Sequence, residues 1–149
     1  RISDKFQYLR LKIIGQGSQL KELKKVAAEF GVEEKVDFEG FQKEIIPYYL
    51  NAKVTILTSQ YEGFPNVLIE SIVLGTPVVS FDCSSGPSEI VNEGINGYLV
   101  KYRNVEDLQN KLLVTIKKKF STQKMSLTVE KYKSTNIIKL YDKLLNFYV

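Results

Sequence analysis

Histidine is absent from all 149 residues. Its absence removes Ser-His-Asp and Cys-His triads, histidine general bases and histidine metal sites together. Cysteine occurs once, as Cys83, so neither an internal disulfide nor a structural zinc site can be built. A lone cysteine agrees with a reducing cytosol without proving it, and a small residue near a strand end is the plainer reading of Cys83. No apolar run approaches the ~20 residues of a membrane-spanning helix. The opening Arg1-Ile-Ser-Asp-Lys-Phe is polar, with no apolar stretch of a secretory signal behind it. There are no internal repeats and no low-complexity linker. A hydrophobic content of 44% suits an ordinary globular core, and the length suits one domain over residues 1–149. Residues 1–100 read as its core and residues 101–149 as C-terminal helices.

Charge is unevenly spread. Residues 1–100 carry 10 basic and 13 acidic side chains, whereas residues 101–149 carry 11 basic and only 4 acidic. The positive excess therefore sits in the last third. Lys117, Lys118, Lys119, Lys124, Lys131, Lys133, Lys139 and Lys143 could face anionic lipid, or they could form a solvated helix face. Nucleic-acid binding would need exposed aromatics between the basic residues. Tyr132, Tyr141 and Phe147 stand at core spacing instead, so no nucleic-acid partner is expected.

Apolar and polar positions alternate in a way that sets strands against helices. Leu9-Arg-Leu-Lys-Ile-Ile14 reads as a strand running into the Gly15-Gln-Gly17-Ser18 turn. A helix capped by Ser18 follows, with Leu20, Leu23, Val26, Ala27 and Phe30 on one face, and it stops at Gly31. Residues 36–40 are a short strand, Phe41-Gln42 its exit, and residues 43–52 a helix with Ile45, Ile46, Tyr49 and Leu50 inside. Pro47 falls in its first turn. Residues 53–57 and 77–81 are further strands. Ser88 reads as the N-cap of a short helix over 89–93, and Asn96-Gly97 as a turn before a strand over 97–100. Residues 105–118 form a helix, 121–123 a polar break, and 129–147 a final helix. The spaced Tyr132, Ile137, Leu140, Tyr141, Leu144 and Leu145 of that last helix are expected to dock on the body. Strands alternating with helices over short loops predict an α/β, Rossmann-like parallel sheet with helices on both faces. Ligands bind such sheets at the carboxyl ends of the strands.

Residues 58–79 organise that end. A strand stops at Thr58, the turn Glu62-Gly63-Phe64-Pro65 follows, then an apolar helix ended by Gly75, then Pro77-Val-Val. Two carboxylates, Glu62 and Glu70, stand in this greasy setting with seven residues between them. An ionised carboxylate is costly to bury unless it is paired or hydrogen-bonded, so their placement calls for a reason. A helix start offers unpaired N–H groups and the positive end of its dipole, which suits a diphosphate. Gly63 permits close backbone approach, and Pro65 sacrifices no needed donor. Asn66, Val67 and Leu68 can aim amides at such a ligand, and Glu70 projects back toward the same spot. A solvated helix face for Glu70 and an ordinary loop acid for Glu62 are the plainer alternatives.

Glu62-Gly-Phe-Pro-Asn-Val-Leu-Ile-Glu70, followed by Gly75-Thr-Pro-Val-Val and Gly86-Pro-Ser-Glu-Ile, resembles the C-terminal, nucleotide-sugar-binding half of retaining GT-B glycosyltransferases with the Glu-x7-Glu signature. Ile13-Ile-Gly15-x-Gly17 and Phe38-x-Gly-Phe41 fall where that family has its own motifs. The resemblance implies that Glu70 accepts hydrogen bonds from ribose hydroxyls while Glu62, the catalytic candidate, faces the donor sugar. It implies a UDP-sugar donor and a glycan or lipid-linked acceptor, in cell-surface polysaccharide or lipopolysaccharide synthesis. The place implied is the cytoplasm, or the inner face of the cell membrane. With Asp-x-Asp missing, no metal and no other cofactor is expected, and amides and cations would stabilise the diphosphate.

Gly15 and Gly17 make only a partial dinucleotide fingerprint, since Leu20 stands where a third glycine would, and a tight turn explains them as readily. Phe41-Gln42 is either a base-binding exit or a bland loop, and Ser84-Ser85-Gly86 either an amide nest or a loop. The Arg and Lys with which the family grips a diphosphate lie upstream of the Ile13-Ile-Gly strand. The chain is therefore expected to be a fragment without its first strand or the acceptor-binding N-terminal domain, and inactive alone. A sugar-nucleotide epimerase of the same architecture and a non-catalytic nucleotide-sugar-binding domain are the rival readings.

Overall fold

The computed structural model describes Ile2 and residues 6–145. They fall into two compact units, Arg1–Ile45 and Ile46–Val149, each with its own parallel sheet.

In the first unit, strand β1 (Leu11–Ile14) is joined to strand β2 (Val36–Gly40) through helix α1 (Leu20–Glu29) and a 3-10 turn (Glu33–Lys35). The two strands are parallel, with Leu11 opposite Val36 and Ile13 opposite Phe38, and the register shifts after Ile13. Their solvent side carries a charge ladder: Arg10 bonds both oxygens of Asp37 (Nε–Oδ2 2.8 Å, NH2–Oδ1 2.5 Å), and Lys12 reaches Glu39. The expected cap at Ser18 is not formed. Gln19 is the N-cap, without a side-chain bond, and the Leu20 amide donates to the Gly17 carbonyl at 3.3 Å. The apolar stripe of α1 is less covered than its periodicity suggests. Only Ala27 is buried, Leu20, Leu23 and Val26 stay more than a third exposed, and Phe30 is 75% exposed. Two strands about 4.8 Å apart present too narrow a face to cover a full helical stripe.

The second unit begins with helix α2 (Ile46–Asn51), shorter than the expected 43–52 and with Pro47 at its second position. Strand β3 (Thr55–Leu57), helix α3 (Asn66–Val73), strand β4 (Val78–Asp82), helix α4 (Pro87–Ile90) and strand β5 (Gly97–Lys101) follow. Helices α5 (Val105–Lys117), α6 (Thr122–Thr128) and α7 (Ser134–Leu145) complete it, with a 3-10 turn (Glu130–Tyr132) before α7. The sheet order is β3-β4-β5 and every pairing is parallel. Val78, Val79 and Ser80 of the central strand are fully buried although successive side chains point to opposite faces, so both faces are covered. The α/β, Rossmann-like expectation therefore holds.

The core gathers Leu68, Ile72, Val78, Ile90, Val91, Met125 and Val129. Asn96 is buried inside it with its polar atoms satisfied. Its Oδ1 accepts from the Asn92 amide (2.8 Å), and its Nδ2 donates to Ile90 O (2.9 Å) and Thr128 Oγ1 (2.8 Å). The neighbouring Gly97 is required by space: a Cβ there would lie 2.1 Å from the Val78 carbonyl oxygen.

Three expectations fail in this unit. The polar break at 121–123 is a helix start. Ser121 caps α6 by accepting from the Lys124 amide, and Met125 inside it is fully buried. Ser88 is not an N-cap: Gly86 holds that place and Pro87 opens α4, a proline position that costs no helical hydrogen bond. The final helix is interrupted at the extended Lys133 (φ −60°, ψ 138°), and α7 does not dock as expected. Ile137, Leu140, Tyr141, Leu144 and Leu145 are exposed, while the first turn is tied down through Asn136 Nδ2 to Glu130 O (2.8 Å) and through the Asn136 and Ile137 amides to Lys133 O (2.9 and 3.1 Å). Phe147 lies outside the described residues. Among the described residues no helix is long and apolar enough to cross a membrane.

Candidate functional site

The segment after β3 is built from both sides. Ser85 Oγ donates to the Glu62 carbonyl at 2.6 Å, which fixes the turn to the loop after β4. Gly86, with φ +91°, brings that loop so close that an added Cβ would meet Pro65 Cδ at 2.5 Å and Gly63 O at 3.3 Å. Only a residue without a side chain fits there, and the positive φ selects glycine as well. On the other side, the Phe64 ring meets Tyr132 edge-on at 5.1 Å between centroids and 70° between planes. Tyr132 is itself anchored, because its hydroxyl donates to Glu89 O at 2.8 Å and Lys131 Nζ donates to the same carbonyl at 3.1 Å. The Glu62 turn, the Ser85-Gly86 loop and the Glu89 carbonyl are therefore brought together.

Within the turn, Glu62 is half-buried, Gly63 and Phe64 are exposed, and Pro65 is buried as the N-cap residue of α3. Asn66 donates its amide to Phe64 O (2.9 Å) and Leu68 to Pro65 O (3.0 Å), so two of the three amides expected to face a ligand close the turn instead. Val67, 40% exposed, stands between them, and Leu68 is a core residue.

Glu70 is exposed on α3, and its Oε2 accepts from the Tyr49 hydroxyl at 3.0 Å. Tyr49 is only 7% exposed, and burial first, then the bond to Glu70 and its charge, push the phenol well above its ordinary range. Its backbone is fixed too. Thr76 Oγ1 donates to Tyr49 O at 2.6 Å, and Ser71 Oγ links Thr76 O (2.9 Å) with Thr55 Oγ1 (2.8 Å). A carboxylate has about four lone-pair sites, so the exposed Glu70 keeps acceptor capacity beyond the bond from Tyr49. Periodicity marks Tyr49 as a core position and gives no sign of this pairing, which spans 21 residues of sequence.

The remaining candidates lie in the first unit. Gly15, with φ +129°, donates its amide to Gly40 O at 2.7 Å, which joins the ends of β1 and β2. Gly15, Gly17, Phe41 and Gln42 thus share one end of that two-stranded sheet. An added Cβ at Gly15 or Gly17 would meet nothing within 4 Å, Phe41 is 70% exposed, and Gln42 Nε2 donates to Glu39 O at 2.7 Å. Among the described residues no three His, Cys, Asp or Glu side chains are grouped to hold a metal ion.

Residues 1–133 match the family model of the glycosyl transferases group 1. The chain belongs to that family. It is 28% identical over 143 residues to the poly(ribitol-phosphate) alpha-N-acetylglucosaminyltransferase of Staphylococcus aureus, covering 93% of this chain and 29% of that protein. Among solved structures it resembles the lipopolysaccharide outer core galactosyltransferase WaaB in its apo form, with a TM-score of 0.84 and 27% identity over 99% of this chain and 44% of that one. It also resembles Anabaena Alr3699/HepE in complex with UDP-glucose, with a TM-score of 0.76 and 26% identity over 92% of this chain and 40% of that one. The chain spans less than a third of the length of the curated relatives it matches.

Proposed function

We propose that this chain forms the donor-binding part of a retaining glycosyltransferase that takes a UDP-sugar and transfers the sugar to a glycan or lipid-linked acceptor in cell-surface polysaccharide synthesis. The observation that carries the reading is the Glu62–Glu70 segment. It is a turn clamped by Ser85 and Gly86, opening a helix whose Glu70 is exposed with one oxygen held by Tyr49. The helix start provides partial positive charge for a diphosphate, Glu70 provides an anionic acceptor for ribose hydroxyls, and Glu62 orients the donor sugar. The route is front-face, with the departing phosphate helping to deprotonate the acceptor, so Glu62 need not form a covalent bond. The relative solved with UDP-glucose supports this donor class.

In the first unit, Gly15, Gly17, Phe41 and Gln42 are proposed nucleotide contacts. The reaction is proposed to run without a metal, which the missing Asp-x-Asp supports. Its place is the cytoplasm, with peripheral contact to anionic membrane through the basic last third. Co-sedimentation with anionic vesicles at low but not high salt tests that contact, and absence of binding at both salt levels removes it.

The activity is tested by product analysis of the full-length protein with a UDP-sugar and candidate acceptors. UDP release that depends on acceptor, with the anomeric configuration retained by NMR, is expected. An inverted product, or an altered free sugar formed without any acceptor, overturns the proposal.

A further inference from the structure

We infer that Tyr49 is a positioning residue for the nucleotide, acting through Glu70 to hold its carboxylate toward the ribose; this rests on the donor-binding reading of Glu70. Glu70 is exposed on a short helix, and an exposed glutamate has three rotatable bonds and little reason to keep one rotamer. Tyr49 supplies the reason. Its ring is buried, its carbonyl is pinned by Thr76, and its hydroxyl reaches Glu70 Oε2 at 3.0 Å. The Thr76 hydroxyl sits just before β4, Ser71 ties the Thr76 carbonyl to α3, and Thr55 lies on β3. One hydrogen-bonded chain therefore links α2, the start of β4, β3 and α3, and ends on the carboxylate. The phenol donates along one side of the carboxylate and leaves the carboxylate's other acceptor positions for a vicinal diol, whose two hydroxyls are both donors. Freezing the rotamer before the ligand arrives lowers the ordering cost of binding.

Tyr49→Phe keeps the ring and its backbone bond and removes only the hydroxyl. Calorimetry on the full-length protein compares UDP with 2′,3′-dideoxy-UDP in the parent, Y49F, E70A and the double variant. UDP affinity is expected to fall about tenfold in Y49F, the effect of one hydrogen bond to a charged group. Dideoxy-UDP affinity stays unchanged, and Y49F adds nothing in the E70A background. The midpoint of thermal unfolding of Y49F stays within a few degrees of the parent. Equal losses for UDP and dideoxy-UDP, an additive double variant, or an unchanged UDP affinity in Y49F overturn the positioning role. If E70A itself binds UDP like the parent, the donor reading of Glu70 falls, and this inference with it.

Discussion

Phe64, in the turn that follows β3, meets the Tyr132 ring edge-on at 5.1 Å, and the Tyr132 hydroxyl is fixed on Glu89 O at 2.8 Å. The 3-10 turn near the C-terminal end is thereby a buttress of the Glu62 turn. Tyr132→Ala removes a ring packed against the core cluster and is expected to cost roughly 2–3 kcal/mol. Tyr132→Phe keeps the ring and gives up one hydrogen bond, about 1 kcal/mol. Urea unfolding of both variants checks the order. Equal losses would show that the hydroxyl, not the ring, secures the turn.

Gly86 faces Pro65 at a distance no side chain tolerates. Gly86→Ala combines a positive-φ penalty with that clash, and a loss of at least about 1–3 kcal/mol is expected. Relief by a second substitution, Pro65→Ala, would identify the clash as the cause. If Gly86→Ala melts with the parent, the close approach of the two loops is wrong.

Asn96 is the polar centre of the second unit. Asn96→Ala leaves the Ile90 carbonyl, the Asn92 amide and the Thr128 hydroxyl without that partner, and a loss of about 2–4 kcal/mol is expected from denaturant unfolding. Asn96→Asp, which exchanges the amide donor for a second acceptor, should fare no better. A loss under about 1 kcal/mol in Asn96→Ala would contradict the account of the core.

In the first unit, the hydrogen bond from Arg10, with the charges of Arg10 and Lys12, holds the Asp37 carboxyl below its usual range. The folded value is depressed, so the unfolded chain binds this proton more readily. The pairing therefore stabilises the fold fully above the unfolded Asp value of about 3.9 and ceases to do so as pH falls through the folded value. NMR titration of Asp37 should give a midpoint below 3.9 that rises in Arg10→Ala. A midpoint at or above the ordinary value would rule out the pairing in solution.

The sequence showed the frame well where periodicity and glycine punctuation coincide. Val36–Gly40, Gly97–Lys101 and the Gly75 end of α3 stand close to where alternation and apolar spacing put them. The misses share a cause. Residue type marks Ser18 and Ser88 as helix starts, but backbone turns at Gly17 and Gly86 take over there, while Ser121, a true cap, stands before seven residues too mixed to show a stripe. Periodicity reports which face is apolar but not what covers it, so the apolar stripe of α7 predicts a docked face that the structure leaves exposed. The Tyr49–Glu70 and Phe64–Tyr132 pairs depend on elements far apart in sequence, and no local pattern encodes them.

The proposed division of labour is that Glu70 binds the donor while Glu62 acts on the sugar. Steady-state kinetics of the full-length protein with a UDP-sugar tests it most directly. Glu70→Ala is expected to raise the donor KM about tenfold or more with kcat nearly kept, and Glu62→Ala to lower kcat by about 10²-fold with KM nearly kept. Wild-type kinetics in both variants, or the two effects exchanged between them, would contradict it.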